Sequence, residues 1–436
     1  MKNSGVEWIG EIPDEWEVKR GKELFFEIND RCKNPENYPL LSVSEYYGVA
    51  PKSEKMDEGD FITRAETLDG YKICQKGDIV QNIMLAWKRA TGMSNYEGLI
   101  SPAYCIYRPY KSIDSKYYHY LFRTDVYADL FKQYSTGIID SRLRLYPAKF
   151  LSLKYAYPPK ETQQRIASYL DKKCSKIEET IQNQQQVIEK LKAYKQSLIT
   201  EAVTGKVKIA NGKACGEYES YKDSGVEWIG KIPSGWEVKK LKYIADTFFK
   251  GSGITKEEIV INGDISCVRY GELYTKYDYH FTECQTRTNL GIIETPKYFS
   301  HGDVLFTCTG ELVEEIGKSI AYLGNEKCLA GGDIIVLKHS QDPMFMGFAL
   351  DSKYVQGQKC FGKTKLKVVH ISSGEIARLL IVLPPKEEQK EIADYLDKKC
   401  TAIDTAIEQK QKLIEKLTEY KKSLIYECVT GKKEIS

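Results

Sequence analysis

The hexapeptide Tyr169-Leu170-Asp171-Lys172-Lys173-Cys174 is written twice in this chain, returning residue for residue as Tyr395-Leu396-Asp397-Lys398-Lys399-Cys400. The offset is 226 residues. The same offset carries Pro158-Pro-Lys-Glu161 to Pro384-Pro-Lys-Glu387, Ile188-Glu-Lys-Leu191 to Ile414-Glu-Lys-Leu417, and Val203-Thr-Gly-Lys206 to Val429-Thr-Gly-Lys432. Residues 157–209 and 383–435 share 31 identities over 53 aligned positions. A repeat of this length means two like halves, and each half is read with the other in view.

Each shared segment reads as one long helix. Pro158-Pro159 blocks a helix from upstream, and Glu161 stands in the first turn, where the helix dipole favours a carboxylate. No Pro or Gly interrupts residues 161–203, and Gly205 supplies the stop. Such a helix is roughly 60 Å long at about 1.5 Å per residue. Leu170, Ile177, Ile181, Ile188, Leu191 and Leu198 keep the 4-3 spacing of a and d positions, with Cys174, Gln184, Lys195 and Ala202 completing the count. In the second copy Leu396, Ile403, Ile407, Ile414, Leu417 and Leu424 do the same, with Cys400, Lys410, Lys421 and Cys428. An apolar stripe needs a partner. One reading packs each helix on its own globular domain. The other pairs the two helices, and the Lys, Glu and Gln that fill their remaining faces favour it. Two like rods related by a pseudo-two-fold run antiparallel.

A shorter repeat opens each half. Ser4-Gly-Val-Glu-Trp-Ile-Gly10 returns as Ser224-Gly-Val-Glu-Trp-Ile-Gly230, now at an offset of 220. Between the shared pieces lie dissimilar stretches, about 21–156 and 241–382. The expected organisation is therefore a globular domain over 1–156, a helix over 157–209, a linker over 210–222 marked by Asn211-Gly212 and Gly216, a second domain over 223–382 and a second helix over 383–436. Apolar runs at 40–43, 77–80, 103–107, 265–268, 302–306 and 333–337 predict strands, and helical patterns follow at 115–134 and 343–356. Lys76-Gly-Asp78 and His301-Gly-Asp303 are one turn-and-strand unit used twice, so the two domains are expected to share a mixed α/β (α+β) fold with different surfaces.

Composition bounds the function. At 436 residues the chain exceeds one ordinary domain. Hydrophobic residues make up 42%, charged residues 29%, and the mean hydropathy is −0.44, which fits a soluble protein. No run approaches 18 apolar residues, and Met1–Ile9 holds no secretory h-region, so a cytoplasmic location is expected. The 12 cysteines form no CxxC pair, which fits reduced thiols better than disulfides or zinc. The net charge of +3 neither demands nor excludes nucleic acid. Most of the 31 tyrosines are expected to be half-buried packing residues, although Tyr46, Tyr47, Tyr270 and Tyr274 suit stacking on sugars or bonding to phosphates.

Basic residues mixed with hydroxyls and aromatics are the mixture DNA requires: cations for phosphates, and Arg, Lys, Ser and Thr for base edges. The candidates in the first domain are Ser42, Ser44, Tyr46, Lys88, Arg89, Ser135, Thr136, Arg142 and Arg144. In the second they are Arg269, Tyr270, Thr307, Thr309, Lys363, Thr364, Lys365 and Lys367, the last four within a run, 359–367, that holds four lysines. The competing reading of each is a solvated surface charge. Catalytic patterns fail on context. Gly357–Thr364 matches GxxxxGK[ST] but lacks the apolar strand that such a loop needs before it. Pro13-Asp14 with Glu17-Val-Lys19 is too compact for a PD-(D/E)xK nuclease, and its copy carries Ser234 for Asp14. No Asn/Asp-Pro-Pro-aromatic tetrapeptide occurs, and the five histidines are dispersed. No catalytic or metal-binding residues are expected.

The Gly-Val-Glu-Trp-Ile-Gly-x-Ile-Pro-x-x-Trp openings, and the Pro-Pro-Lys-Glu…Ile-Ala-x-Tyr-Leu-Asp helices ending in Val-Thr-Gly-Lys, resemble the specificity (S) subunits of type I restriction–modification systems over the whole chain. Lys76-Gly-Asp, Leu99-Ile-Ser-Pro-Ala103, His301-Gly-Asp and Gly362-Lys-Thr-Lys365 look like that family's target-recognition domains. The resemblance implies two such domains, each reading one half of a split double-stranded DNA site, and two helices in an antiparallel coiled coil that sets the spacing. It implies two methylation subunits that bind S-adenosylmethionine, two restriction subunits that use ATP and Mg, and no cofactor in this chain. Gly137-Ile-Ile-Asp-Ser-Arg142 departs from the family's Ser/Thr/Gln-rich turn, which puts the base contacts of the first domain in doubt. Two other readings remain: a self-sufficient methyltransferase or nuclease, which would bind S-adenosylmethionine or metal alone, and a coiled-coil protein scaffold without a sequence-specific DNA role.

Overall fold

The computed structural model describes residues 1–33, 35–54, 68, 70–364 and 368–435. The two Pro-Pro sites open helices Lys160–Val203 and Lys386–Val429, of 44 residues each. Contacts divide the chain into two units, residues 1–185 with 411–436 and residues 186–410. The division falls inside both long helices, so each unit contains part of each.

In the first unit a four-stranded antiparallel sheet runs in the order Phe25–Ile28, Tyr104–Pro109, Ile79–Asn82, Thr91–Met93. Beside it lie the hairpin Leu41–Ser44/Gly48–Pro51 and the pair Lys72–Cys74/Gly98–Ile100. The core is aromatic. Tyr107 stacks on Phe150 at 4.4 Å between centroids, and Phe122 packs on Phe150 and Tyr155. Many tyrosines go deeper than half-buried, because their hydroxyls find carbonyls: Tyr117 donates to Val429, Tyr118 to Ala156 and Tyr155 to Phe150.

The second unit builds Ala245–Lys250, Ile334–His339, Val304–Thr307, Ser319–Tyr322 in the same order, and adds His280–Phe281 in parallel at the edge. A second sheet, Thr286–Thr288, Ile265–Val268, Cys328–Ala330, Tyr298–Phe299, lies beside it. The two units therefore share a core plan. The Gly-Asp turn explains part of it. Gly77 and Gly302 hold φ of +94° and +90°, conformations that glycine adopts without penalty. Asp78 and Asp303 then cap their own turns at the backbone N–H of Gln75 and Ser300. Each is buried against a cation of the adjacent long strand, Arg108 in a two-pronged bond at 2.9 Å and Lys338 at 2.8 Å.

The two helical patterns are each broken in the middle. The first becomes Ser115–Phe122 and Asp125–Gln133, the second Pro343–Leu350 and Lys353–Cys360. The breaks are equivalent: Thr124 and Ser352 take extended backbone and turn their hydroxyls back to the carbonyls of Leu121 and Ala349. The segment read as a linker is also ordered. Asn211-Gly212, both at positive φ, turn a two-residue hairpin between Ile209–Ala210 and Lys213–Ala214, and Ile209 enters the core of the second unit.

Each long helix does both things that its stripe allowed. Its first turn docks on its own domain. Gln163 accepts from the N–H of Asp114 and donates to the carbonyl of Pro158, and Gln389 repeats this with Asp342 and Pro384. Its seam packs on the other helix. In the first unit Leu170, Cys174 and Ile177 share one buried cluster with Leu424 and Cys428. In the second, Ile199 and Ala202 share one with Leu396 and Cys400. In the first unit Lys421 meets Glu178 while Lys433 meets Tyr169, and in the second Lys195 meets Asp404 while Glu201 lies near Tyr395, so the paired stretches run antiparallel within each. None of the apolar seam residues read from the sequence is exposed. One position shifts: Ile199 is fully buried and Leu198 only partly, the drift expected when a 3.5-residue count is laid on a 3.6-residue helix.

Candidate nucleic-acid interface

In the first unit, two loops are drawn together by a residue that no sequence pattern singled out. Arg123 ends helix Ser115–Phe122, and its guanidinium is buried. One nitrogen donates to the carbonyls of Ser44, Arg89 and Thr91 at 3.3, 2.7 and 3.2 Å, the other to those of Glu45 and Tyr46 at 3.1 and 2.9 Å. Burial, with the charge of Arg89 nearby, pulls its pKa down to about 10. Candidates Ser44, Tyr46 and Arg89 are thus brought side by side by backbone bonds that only a forked donor makes. Ser42 joins them, its hydroxyl 2.9 Å from that of Tyr47, while Tyr46 is 83% exposed. Arg89 sits in the left-handed region at φ +66° and pairs with Asp125.

Next to this group Lys88 is exposed, its ammonium 5.2 Å from the ring of Trp87, and Lys132 lies over the same ring at 4.8 Å. The third loop is closed at its base by two backbone bonds between Thr136 and Arg144, and Leu145 ties it to Ile83. Arg142 is exposed on it. The Ser135 hydroxyl turns back to the carbonyl of Phe131 at the end of helix Asp125–Gln133. Beneath the hairpin, burial pushes the His119 imidazole down to about 3, and the neutral ring accepts from the Met93 N–H.

In the second unit the organising group is Tyr274. Its hydroxyl lies 2.7 Å from Thr307 Oγ1 and 3.2 Å from the Thr309 carbonyl. Tyr274 therefore holds the loop rather than facing solvent. Thr307 is also a correction: it is fully buried, so its hydroxyl serves Tyr274 and not a ligand. Arg269 and Tyr270 begin the helix Tyr270–Thr275 that carries Tyr274, with Glu272 capping back to the Arg269 N–H and Tyr270 exposed. Thr309 lies 3.2 Å from His370 Nδ1 on a short pair of strands. Lys363 donates to the His370 carbonyl at 2.6 Å and to Glu375 at 2.7 Å. Burial works against the Glu375 charge, but Lys363 and Ser372 outweigh it and hold its pKa at about 2. Lys363 is thus a tethered cation rather than a free one, and Thr364 beside it is exposed. Lys365 and Lys367 lie outside the described residues. Lys359, counted in the lysine run, points inward to the Gly317 carbonyl and Ser319 Oγ. Gly357–Cys360 lies within the helix Lys353–Cys360, so the phosphate-loop match lacks its strand. Among the described residues no group of three or more His, Cys, Asp or Glu side chains is placed to hold a metal ion, and no helix is long and apolar enough to cross a membrane.

These are two loop clusters of different chemistry on one core plan, attached to paired helices. Residues 233–418 match the type I restriction modification DNA specificity domain. Over nearly its whole length the chain is similar to specificity subunits of type I restriction enzymes. It is 24% identical over 447 residues to the specificity subunit of the type I restriction enzyme MjaVIII of Methanocaldococcus jannaschii, covering 97% of this chain and 93% of that one. In fold it is similar to the HsdS subunit of Thermoanaerobacter tengcongensis, with a TM-score of 0.56 at 16% identity over 99% of this chain and all of that one. A chain from a type I R-M system studied for complex assembly and conformational transition gives a TM-score of 0.69 at 14% identity, over 97% and 100%.

Proposed function

We propose that this chain is the DNA-reading subunit of a type I restriction–modification complex, each loop cluster reading one half of a bipartite site in double-stranded DNA. The observation that carries the proposal is the pairing of one core plan with two unlike loop sets: Ser42, Tyr46, Lys88, Arg89 and Arg142 in one unit, Arg269, Tyr270, Thr309 and Thr364 in the other. A shared frame with different surfaces suits the reading of two different sequences. The antiparallel helices set the spacing between half-sites. Two methylation subunits and two restriction subunits dock on the chain. They bring S-adenosylmethionine and ATP with Mg, so adenine methylation and cleavage are theirs and the chain contributes recognition without catalysis. Co-expression with the methylation subunit in a methylation-free host, followed by mapping of modified adenines, tests this. A two-part motif with a fixed gap is the expected result; a contiguous motif overturns it.

A further inference from the structure

The loop that departs from the family pattern carries a second observation. Ile138 is 100% exposed and Ile139 54% exposed. They stand at the tip of a built turn rather than on a loose segment. Two backbone bonds between Thr136 and Arg144 close its base, and Arg142 N–H to Ile139 O and Leu143 N–H to Asp140 O close its tip. Gly137, at φ +149°, approaches the Arg142 carbonyl so closely that a Cβ would sit 2.6 Å from it, so only glycine fits. Lys132 fastens the far side through Asp140 at 3.0 Å. Cations lie on and beside this loop: Arg142 is exposed on it, Arg144 turns back to the Ser141 and Leu143 carbonyls, and Lys132, which pairs with Asp140, shares the Trp87 ring with the exposed Lys88. The nearby carboxylates Asp125 and Asp140 are each closed by an ion pair, to Arg89 and Lys132.

Resting on the DNA-reading function above, we propose that Ile138 and Ile139 are the apolar reading element of the first half-site, pressed against base edges in the groove, where the thymine C5 methyl is the apolar feature a side chain meets. The cationic rim selects the polyanion over a protein partner as occupant. The apolar tip supplies the sequence preference that the rim lacks, in place of hydroxyl or amide side chains.

The full chain, assembled with its methylation subunit, tests this with the surface variant Ile138→Ser/Ile139→Ser. Discrimination between matched and mismatched first half-sites is expected to fall about tenfold, the size of one base contact. Discrimination at the second half-site, non-specific affinity and the salt dependence stay as in the wild type. At least one thymine-to-uracil change in the first half-site is expected to weaken wild-type binding and leave the variant unaffected. Unaltered discrimination in the variant, a wild type indifferent to every uracil change, or loss of subunit assembly in place of DNA discrimination would each overturn the assignment. A wild-type complex with no bipartite preference would overturn the DNA-reading function itself.

Discussion

Lys195 donates to both carboxylate oxygens of Asp404, at 2.8 and 2.7 Å, from a side chain that is 7% exposed on the helix seam. It also reaches Asp278 at 2.9 Å and lies 4.8 Å from the ring of Tyr279. Exactly one repeat later in sequence, Lys421 bonds Glu178, the equivalent of Asp404. Two of the polar interruptions of the heptad, Lys195 and Lys421, are therefore a matched pair of interhelical bonds, and such polar seam positions fix register. Lys195→Glu is expected to destabilise the second unit by about 1–3 kcal/mol, the lower part of the range for broken buried pairs because Asp404 and Asp278 are about half exposed. Adding Asp404→Lys should recover about 1 kcal/mol in a double-mutant cycle followed by urea unfolding. Strict additivity would show that the two residues do not hold the register.

If the helices set the half-site spacing, changing their length changes the spacing. Inserting one heptad into each helix, between Gln184 and Leu191 and at the equivalent place between Lys410 and Leu417, keeps the seam in phase and adds about 10 Å. The gap in the methylated motif is expected to lengthen by about three base pairs at about 3.4 Å each. An unchanged gap with normal methylation would argue against a spacing role.

His119 gives the first unit a pH dependence. The unfolded imidazole takes a proton below about 6.5, whereas the buried ring resists it until about 3. Between those values the unfolded state binds more protons, so stability falls as the pH is lowered and is whole above 6.5. The loss is on the order of 3–5 kcal/mol by pH 3. His119→Asn retains an acceptor for the Met93 N–H without a titrating ring, and should flatten this slope in denaturation followed from pH 7 to 4. An identical slope in the variant would show that other groups carry the acid sensitivity.

Arg123 offers a test of how the first loop cluster is held. Arg123→Lys keeps the charge but cannot fork to the carbonyls of Ser44, Glu45, Tyr46, Arg89 and Thr91. The expected cost is about 1–3 kcal/mol in stability, since buried carbonyls lose their donor. First half-site preference should relax while the second remains. Equal loss at both halves, measured on oligonucleotides altered one half at a time, would assign Arg123 a general folding role.

What the sequence disclosed was whatever repeats or has a period. The offset of 226 residues located both long helices to within a residue at their starts, and the heptad marked a seam in which Leu170, Ile177, Leu396 and Leu424 are buried. Gly-Asp at 77–78 and 302–303 marked a turn because its backbone demands a special residue. The breaks at Thr124 and Ser352 carried a local signal, a hydroxyl capable of capping, that the surrounding apolar period concealed. The inward turn of Lys359, the burial of Thr307 and the grip of Arg123 depend on groups 32 to 79 residues away, and no local pattern encodes such meetings. Candidate residues chosen by type alone therefore mixed exposed positions, such as Tyr46 and Arg142, with Thr307, which the fold uses to hold itself together.

The central claim is that each unit reads its own half of a divided DNA site. The direct measurement is a methylome of the chain co-expressed with its methylation subunit, compared with a variant in which residues 21–156 are replaced by the matching stretch of another family member. The account predicts that one half of the motif changes to the donor's while the other half and the gap persist. A motif that changes in both halves, or in neither, would contradict it.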